Sequence, residues 1–215
     1  MVADRFSHVD TWVFDLDNTL YPPHMRLFDQ IETRMTAYVM RVLDVAEAEA
    51  DRLRAEYWAR FGTTLAGLMD VHDVDPAPYL VDVHDIDFSV LEPDPHLAAQ
   101  VRGLAGRKIV YTNGSAPYAE QVLHHRGLSG IFDAVYGVEH AGFRPKPERS
   151  AFETIFAKDG VQPQRGAMFE DDVRNLEVPH AMGMQTVHVA PDPVSAEHIH
   201  HHTSDLGGFL RHLSE

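Results

Sequence analysis

Asp15 and Asp17, two positions apart in Asp15-Leu16-Asp17-Asn18-Thr19, are the residues whose types and spacing could do chemistry. One carboxylate can attack an electrophile such as phosphorus while the other moves a proton. Two carboxylates this close can also share a divalent cation. They follow a short apolar run, Thr11-Trp12-Val13-Phe14, which reads as a buried strand. In a continuing strand, residues i and i+2 would point the same way. Asn18 and Pro22-Pro23 predict instead that the chain turns. The pair then lies at the carboxyl end of a strand, where open α/β sheets place their ligands. The competing reading is an acidic turn in which both aspartates only cap backbone groups, and this short run alone does not decide.

Three later segments supply the remaining parts of a phosphate site, in order. Arg107-Lys108-Ile109-Val110-Tyr111-Thr112-Asn113-Gly114-Ser115 reads as a strand ending in a hydroxyl, an amide and a glycine. The Thr112 hydroxyl and the backbone N–H groups of a turn at Asn113 and Gly114 can bind phosphate oxygens. Arg144-Pro145-Lys146-Pro147-Glu148 holds a lysine between two prolines, with Pro147 opening a helix over 148–158. A fixed ammonium there can neutralise a phosphoryl group. Gly166-Ala167-Met168-Phe169-Glu170-Asp171-Asp172 is an apolar strand ending in hard oxygen ligands of the kind that suit Mg²⁺. Each segment alone is an ordinary turn, helix entry or acidic helix start. Their joint order, each at a strand end or helix start, favours the site.

The four segments resemble the signature motifs of the haloacid dehalogenase-like hydrolase superfamily, over nearly the whole chain. More narrowly, residues 17–22, Phe61-Gly62-Thr63-Thr64-Leu65, His84-Asp85-Ile86-Asp87 and residues 169–184 look like the pyrimidine 5′-nucleotidase branch. The resemblance implies Asp15 as nucleophile, Asp17 as acid/base, and Thr112 and Lys146 as phosphate-binding residues. Leu16, Asn18, Asn113 and Gly114 are then expected to contact the substrate. It implies a Mg²⁺ cofactor held by Asp15, the Asp17 carbonyl and Asp171. The last motif departs from the commonest form, because Glu170 precedes the expected ligand and Asp172 replaces a small residue. Whether Glu170 or Asp172 joins Asp171 stays open.

Length and composition agree with one catalytic core plus an insertion. With no cysteine there is neither a disulfide framework nor thiol chemistry. The sequence carries no apolar leader at Met1-Val2-Ala3-Asp4-Arg5 and no run long enough to span a membrane, so a cytoplasmic enzyme is expected. The formal charge of −15 argues against nucleic acid as a partner. A small phosphorylated metabolite is expected instead, bound by a monomer or a homodimer. The same charge repels an anionic ester at long range, so local cations must reverse the sign in the cleft. Lys146 is the first candidate, with Arg144 and Arg174 flanking two motifs.

The elements that must position these residues form an α/β doubly wound parallel sheet with an inserted helical cap. Residues 1–20 and 93–215 make the catalytic core, and residues 21–92 make the cap. Within the cap, helical periodicity runs through Leu27-Phe28, Ile31, Met35, Tyr38-Val39 and Val42-Leu43. A second helix spans Ala46 to Phe61 and ends at Gly62, with shorter ones at 64–71 and 77–83. From Pro93 helices and strands alternate: helix 95–104, strand 107–112, helix 116–126, strand 133–137, helix 148–158, strand 167–170, helix 173–182 and strand 185–190.

Several conspicuous features read as structure. Tyr57, Trp58 and Phe61 lie at helical spacing and are assigned to core, with a stack on a nucleobase as the alternative. Thr63, Thr64, His84 and Asp85 either face the cleft or cap local turns. The His198–His202 cluster reads as solvated, since adjacent histidines do not share a helix face. Other phosphatases, on phosphoglycolate or a sugar phosphate, would share all of this chemistry. A dehalogenase would need neither Asp17 as proton donor nor Mg²⁺, and a non-catalytic phosphometabolite binder would have lost one of the two aspartates.

Overall fold

The computed structural model describes residues 2–214. Among them, six strands form one parallel sheet in the order β3-β2-β1-β4-β5-β6. They are β1 (Thr11–Phe14), β2 (Arg107–Tyr111), β3 (Ala134–Tyr136), β4 (Gly166–Glu170), β5 (Gln185–Val189) and β6 (His201–Thr203). The chain builds outward from β1 through β2 to β3, then returns to the other side of β1 with β4, β5 and β6. The topological switch point therefore lies beside β1, and the carboxyl ends of β1, β2 and β4 flank it.

All four residues of β1 are buried, as both-face burial of a parallel strand requires. Trp12 and Phe14 join one hydrophobic cluster and Val13 the other, which is the period of two of a strand packed on both sides. Helices α1 (Val2–Phe6), α6 (Pro95–Gly103), α7 (Ala116–His125) and α10 (Leu206–Ser214) add residues to the first cluster, and α8 (Arg149–Asp159) to the second.

Between β1 and β2 the chain forms only helices among the described residues: α2 (Leu27–Leu43), α3 (Glu47–Phe61), α4 (Thr64–His72), α5 (Pro76–Val83) and two short 3₁₀ turns. α2 packs on α3 and α5, and α3 packs on α4. Gly62 ends α3 with φ 89°, a conformation that costs glycine nothing. Gly67 lets α4 approach α3, because a Cβ there would lie 2.3 Å from the Tyr57 ring.

Several expectations need correction. The helix expected over 173–182 is a 3₁₀ turn at Val173–Leu176 followed by a short α9 (Glu177–Ala181). Pro179 cannot donate the N–H that would bind the Asn175 carbonyl, so a continuous α-helix loses a rung there. Pro147 does not open α8; Glu148 is the N-cap, and Pro147 lies before it behind a cis peptide bond. The histidine run is not solvated: His198 to His202 are half-buried, and His201 and His202 belong to β6, parallel to β5. α1, β6 and α10 have no counterpart in the reading of the sequence. No helix among the described residues is long and apolar enough to cross a membrane.

Candidate active site

Register brings the motif residues together. Phe14 is level with Val110 on β2 and with Phe169 on β4. The next residues, Asp15, Tyr111 and Glu170, therefore emerge side by side. The Asp15 N–H donates to the Phe169 carbonyl at 2.9 Å, which extends the ladder one residue past β1. The chain then turns through Asn18, whose φ of 57° is the left-handed conformation asparagine tolerates.

Lys146 lies at the centre. Its Nζ donates to Asp15 Oδ1 at 2.6 Å, to Glu170 Oε2 at 2.6 Å and to the Tyr111 carbonyl at 3.0 Å. All three donor positions of the ammonium are used. Burial alone would lower its pKa, but Asp15 and Glu170 outweigh burial and hold it above the ordinary range. Asn113 locks this lysine from outside: its Oδ1 accepts from the Lys146 N–H at 2.8 Å and its Nδ2 donates to the Lys146 carbonyl at 3.1 Å. The Asn113 side chain, expected at substrate, is thus committed to positioning Lys146.

Asp17 has a different environment. Its Oδ1 accepts from the Tyr118 hydroxyl at 2.5 Å and from the Tyr21 hydroxyl at 2.7 Å. Burial raises its pKa above the usual carboxylate value, against the pull of the two hydroxyls. Asp15 is pushed up strongly by burial and by the Glu170 charge. Asp171 is pushed up by burial, then by Glu170 and Asp15.

Asp15, Glu170 and Asp171 each present a carboxylate oxygen within 4.8 Å of the others. Three hard anionic oxygens facing one ammonium leave negative charge uncompensated, which is the donor set that fits a small divalent cation such as Mg²⁺. Of Glu170 and Asp172, it is Glu170 whose carboxylate lies with those of Asp15 and Asp171. Asp172 caps the following 3₁₀ turn, accepting from the Arg174 N–H at 3.0 Å, and forks with the Arg174 guanidinium at 2.7 Å. The Asp17 carboxylate is not in the cluster. Asn18 Nδ2 donates to Asp171 Oδ2 at 3.3 Å, and His188 donates through Nε2 to the Asp171 carbonyl at 3.0 Å.

These groups open into a cavity of about 680 Å³ that runs up to the inserted helices. Asp15, Asp17, Asn18, Thr112, Asn113, Gly114, Lys146, Glu170 and Asp171 all line it. The Thr112 hydroxyl there accepts from the Gly114 N–H at 2.9 Å. Leu16 does not line it: its side chain is fully buried in the core and its carbonyl accepts from Leu20 at 2.9 Å. Arg144 also lies outside, donating to the Ala141 carbonyl at 3.3 Å, whereas Arg174 is inside. Thr63, Thr64 and His84 reach the cavity; Asp85 instead pairs with Arg34 at 2.8 Å on the surface. Tyr57 is core as expected, but Trp58 is half-exposed and faces the cavity, with the Arg174 guanidinium 3.4 Å from its ring centre.

The sequence reading missed Tyr118, Tyr21 as a partner of Asp17, and a polar group on α2 and α3. There Arg54 Nη1 donates to the Thr36 hydroxyl at 2.7 Å, with Asp51 and Glu32 at 3.6 and 3.4 Å. Only Tyr21 lay within a motif; a charged residue on an amphipathic helix carries no signal of the cavity it faces.

Comparison with known proteins places the chain in a family. The family model for a haloacid dehalogenase-like hydrolase matches residues 9–183. Phosphate metabolism protein 8 of Saccharomyces cerevisiae is 25% identical over 198 residues, covering 83% of this chain and 61% of its own. Fructose-1-phosphate phosphatase YqaB of Escherichia coli is 35% identical over 101 residues, covering 46% of this chain and 53% of its own. The chain thus spans little more than half the length of these curated relatives. A HAD phosphatase from Thermococcus onnurineus superposes with TM-score 0.62 at 19% identity, over 95% of this chain and 98% of the other. A dehalogenase solved with an intermediate complex superposes with TM-score 0.59 at 17% identity, over 97% and 98%.

Proposed function

The chain belongs to the haloacid dehalogenase-like hydrolase family, and from that premise we propose that it hydrolyses phosphomonoesters through a phosphorylated Asp15, with a pyrimidine nucleoside 5′-monophosphate as substrate. The observation that carries this reading is the unequal treatment of the two aspartates. Asp15 is paired with an ammonium, as a nucleophile that must approach an anion needs; Asp17 is held by two hydroxyls, which keep it oriented through a change of protonation, as a proton carrier needs. The relatives named for phosphate metabolism and for fructose-1-phosphate phosphatase activity support the phosphatase half. The narrower sequence resemblance supports the nucleotide half.

In this mechanism Lys146 holds Asp15 by Oδ1, leaving the other carboxylate oxygen to form the bond to phosphorus. As the ester P–O bond breaks, Asp17 gives its proton to the departing oxygen. Asp17 then takes a proton from the water that hydrolyses the acyl phosphate, which returns Asp15 and releases phosphate. The Thr112 hydroxyl, oriented by the Gly114 N–H, and the Asn113 backbone N–H receive the phosphate oxygens. Mg²⁺ held by Asp15, Glu170 and Asp171, with the Asp17 carbonyl, would supply the charge neutralisation that lets the ester approach. The helices of 21–92 act as the lid that excludes water and contacts the leaving group, with Trp58 and the Arg54 cluster facing it.

The test is phosphate release from uridine and adenosine monophosphates, fructose 1-phosphate, phosphoglycolate and p-nitrophenyl phosphate. Halide release from a 2-haloacid is measured beside it, each with Mg²⁺, Ca²⁺ or chelator. Turnover of the uridine ester only with Mg²⁺, and inhibition by Ca²⁺, is the expected result. Halide release without phosphate release overturns the phosphatase reading, and full activity in chelator overturns the metal assignment and favours the dehalogenase. Preference for a sugar phosphate overturns only the nucleotide part.

A further inference from the structure

The acid/base carboxylate is gripped from one side only. Both hydroxyls, Tyr118 at 2.5 Å and Tyr21 at 2.7 Å, reach the same oxygen of Asp17, Oδ1. Tyr21 arrives from four residues along the same loop, whereas Tyr118 comes from the first turns of α7. Tyr118 is itself held from above. The His84 ring stacks on it with centroids 4.2 Å apart and planes 6° from parallel. His84 terminates α5, in the inserted helices, and its Nδ1 lies 3.1 Å from the hydroxyl of Ser115, the N-cap of α7. The inserted helices thus touch the proton-carrying group through a single intermediate ring.

We propose that Tyr21 and Tyr118 are positioning residues that fix Asp17 with Oδ2 as its proton-bearing oxygen, and that His84 seats Tyr118 for this when the inserted helices are closed. This rests on the reading of Asp17 as general acid. An oxygen accepting two hydroxyl hydrogens has both lone pairs used, so the acid hydrogen sits on Oδ2. When the ester P–O bond breaks, that hydrogen passes from Oδ2 to the leaving oxygen. The negative charge left on Asp17 is met at Oδ1 by two donors already in place, and both tyrosines keep their own hydrogens. Without the grip the carboxyl is free to rotate, and the acid hydrogen is no longer aimed. The stack ties the aim to the inserted helices, since His84 at the end of α5 lies flat against the Tyr118 ring.

The assay exploits leaving-group dependence. A p-nitrophenyl ester leaves without protonation; an alkyl ester such as uridine 5′-monophosphate does not. The ratio kcat/KM stops at loss of the leaving group, so the later water attack does not enter. Tyr118→Phe and Tyr21→Phe keep ring and packing and delete only the hydroxyl. Each should lower kcat/KM on the alkyl ester by about 10- to 100-fold, part of the ~10²–10⁴ a general acid supplies, and on the nitrophenyl ester by less than about threefold. Tyr118→Phe should keep the stack with His84, and circular dichroism should match the wild type. His84→Ala should give the same split, smaller. Equal losses on both esters would mean a structural role and would overturn the proposal for that residue; no loss on either overturns it as well. Asp17→Asn is the control on the underlying reading. If it has no larger effect on the alkyl ester than on the nitrophenyl ester, Asp17 is not the acid, and that reading fails irrespective of the tyrosines.

Discussion

Replacing Lys146 with methionine should destabilise the metal-free protein by about 3–5 kcal/mol, the range for removing one partner of a buried ion pair. The structure sets the size. The Lys146 side chain is 1% exposed and its ammonium touches two carboxylates, Asp15 at 7% and Glu170 at 1% exposure. Asp17 and Asp171 add two more acids in the same pocket. Methionine keeps the volume and removes the only cation bound to Asp15 and Glu170 among the described residues. Part of the loss is relieved because Asp15 and Asp171, already pushed toward protonation, can take up protons. For a chain of this size the loss corresponds to a melting temperature ~6–20 °C lower. Asp171→Asn should act in the opposite direction, making the metal-free protein more stable, since it deletes a charge disfavoured by burial, Glu170 and Asp15. Urea unfolding in chelator at pH 7.5 measures both. Saturating Mg²⁺ should narrow the gap between wild type and Lys146→Met, and leave Asp171→Asn unchanged because its ligand set is broken. Raised carboxyl values mean the folded state binds more protons than the unfolded one. This contribution is therefore favourable below an ordinary carboxyl pKa of about 4 and is lost as pH rises above it, so the Mg²⁺ increment should grow from pH 5 to pH 8. Equal stability of wild type, Lys146→Met and Asp171→Asn in chelator would refute the charge balance described here.

Asp15→Asn should leave the fold intact and reduce phosphate release to the background of the assay, because an amide oxygen is not a competent nucleophile; retention of more than a few per cent would exclude an aspartyl-phosphate. His84 has its pKa pushed down to about 4 by burial, so its neutral form stabilises the fold above an unfolded value of about 6.5 and that stability is lost as pH falls from there toward 4. Between pH 7 and pH 5 the wild type should therefore lose about 2 kcal/mol more than His84→Phe in urea melts, and parallel pH profiles would exclude the assignment. Trp58→Ala removes the ring under Arg174 and should raise KM for a nucleotide by several-fold, on the scale of a cation–π contact of about 1 kcal/mol, while leaving p-nitrophenyl phosphate unaffected. The formal charge of −15 repels an anionic ester, so kcat/KM at saturating Mg²⁺ should rise as salt goes from about 10 to 150 mM; a fall would mean that the cleft itself attracts phosphate from a distance.

What was legible follows from what each feature costs. β1 and β4 are buried along their whole length and β2 over its last three residues, and apolar runs of that kind are hard to mistake for surface. β6 is three residues of an edge strand, His201–Thr203, paired on one side only and half-buried, so histidine suffices and no apolar run announces it. α3 was bounded correctly by Gly62, since a positive φ demands that residue type. The 173–182 segment was misread because its apolar spacing is helical while Pro179 breaks the ladder. In the site, Asp15, Thr112 and Asp171 stand out in the sequence because each directly follows an apolar strand, Asp17 because it lies two residues past Asp15, and Lys146 because two prolines flank it. The partners of those residues were not. Asn113 grips the Lys146 backbone, and Tyr118 grips Asp17 across 101 positions of sequence. Neither contact leaves any trace in local composition.

The division of labour between Asp15 and Asp17 is one of those illegible features, and it follows from where the strand stops. Residue 15 is still in the ladder, its N–H on the Phe169 carbonyl, so its side chain is delivered between β2 and β4, where Lys146 and Glu170 stand. By residue 17 the chain has left the sheet toward α7, and the carboxylate meets hydroxyls. A hydroxyl steadies both protonation states of a carboxyl and holds its orientation through a proton transfer, whereas an ammonium contact favours only the anion. Two identical side chains two positions apart thus acquire different partners, an ammonium for Asp15 and two hydroxyls for Asp17, from the end of one hydrogen-bonded ladder. Exchanging Asp15 with Asn and adding an aspartate elsewhere in the loop could not restore the pair, because no other position of that loop is both in register with Glu170 and beside Lys146.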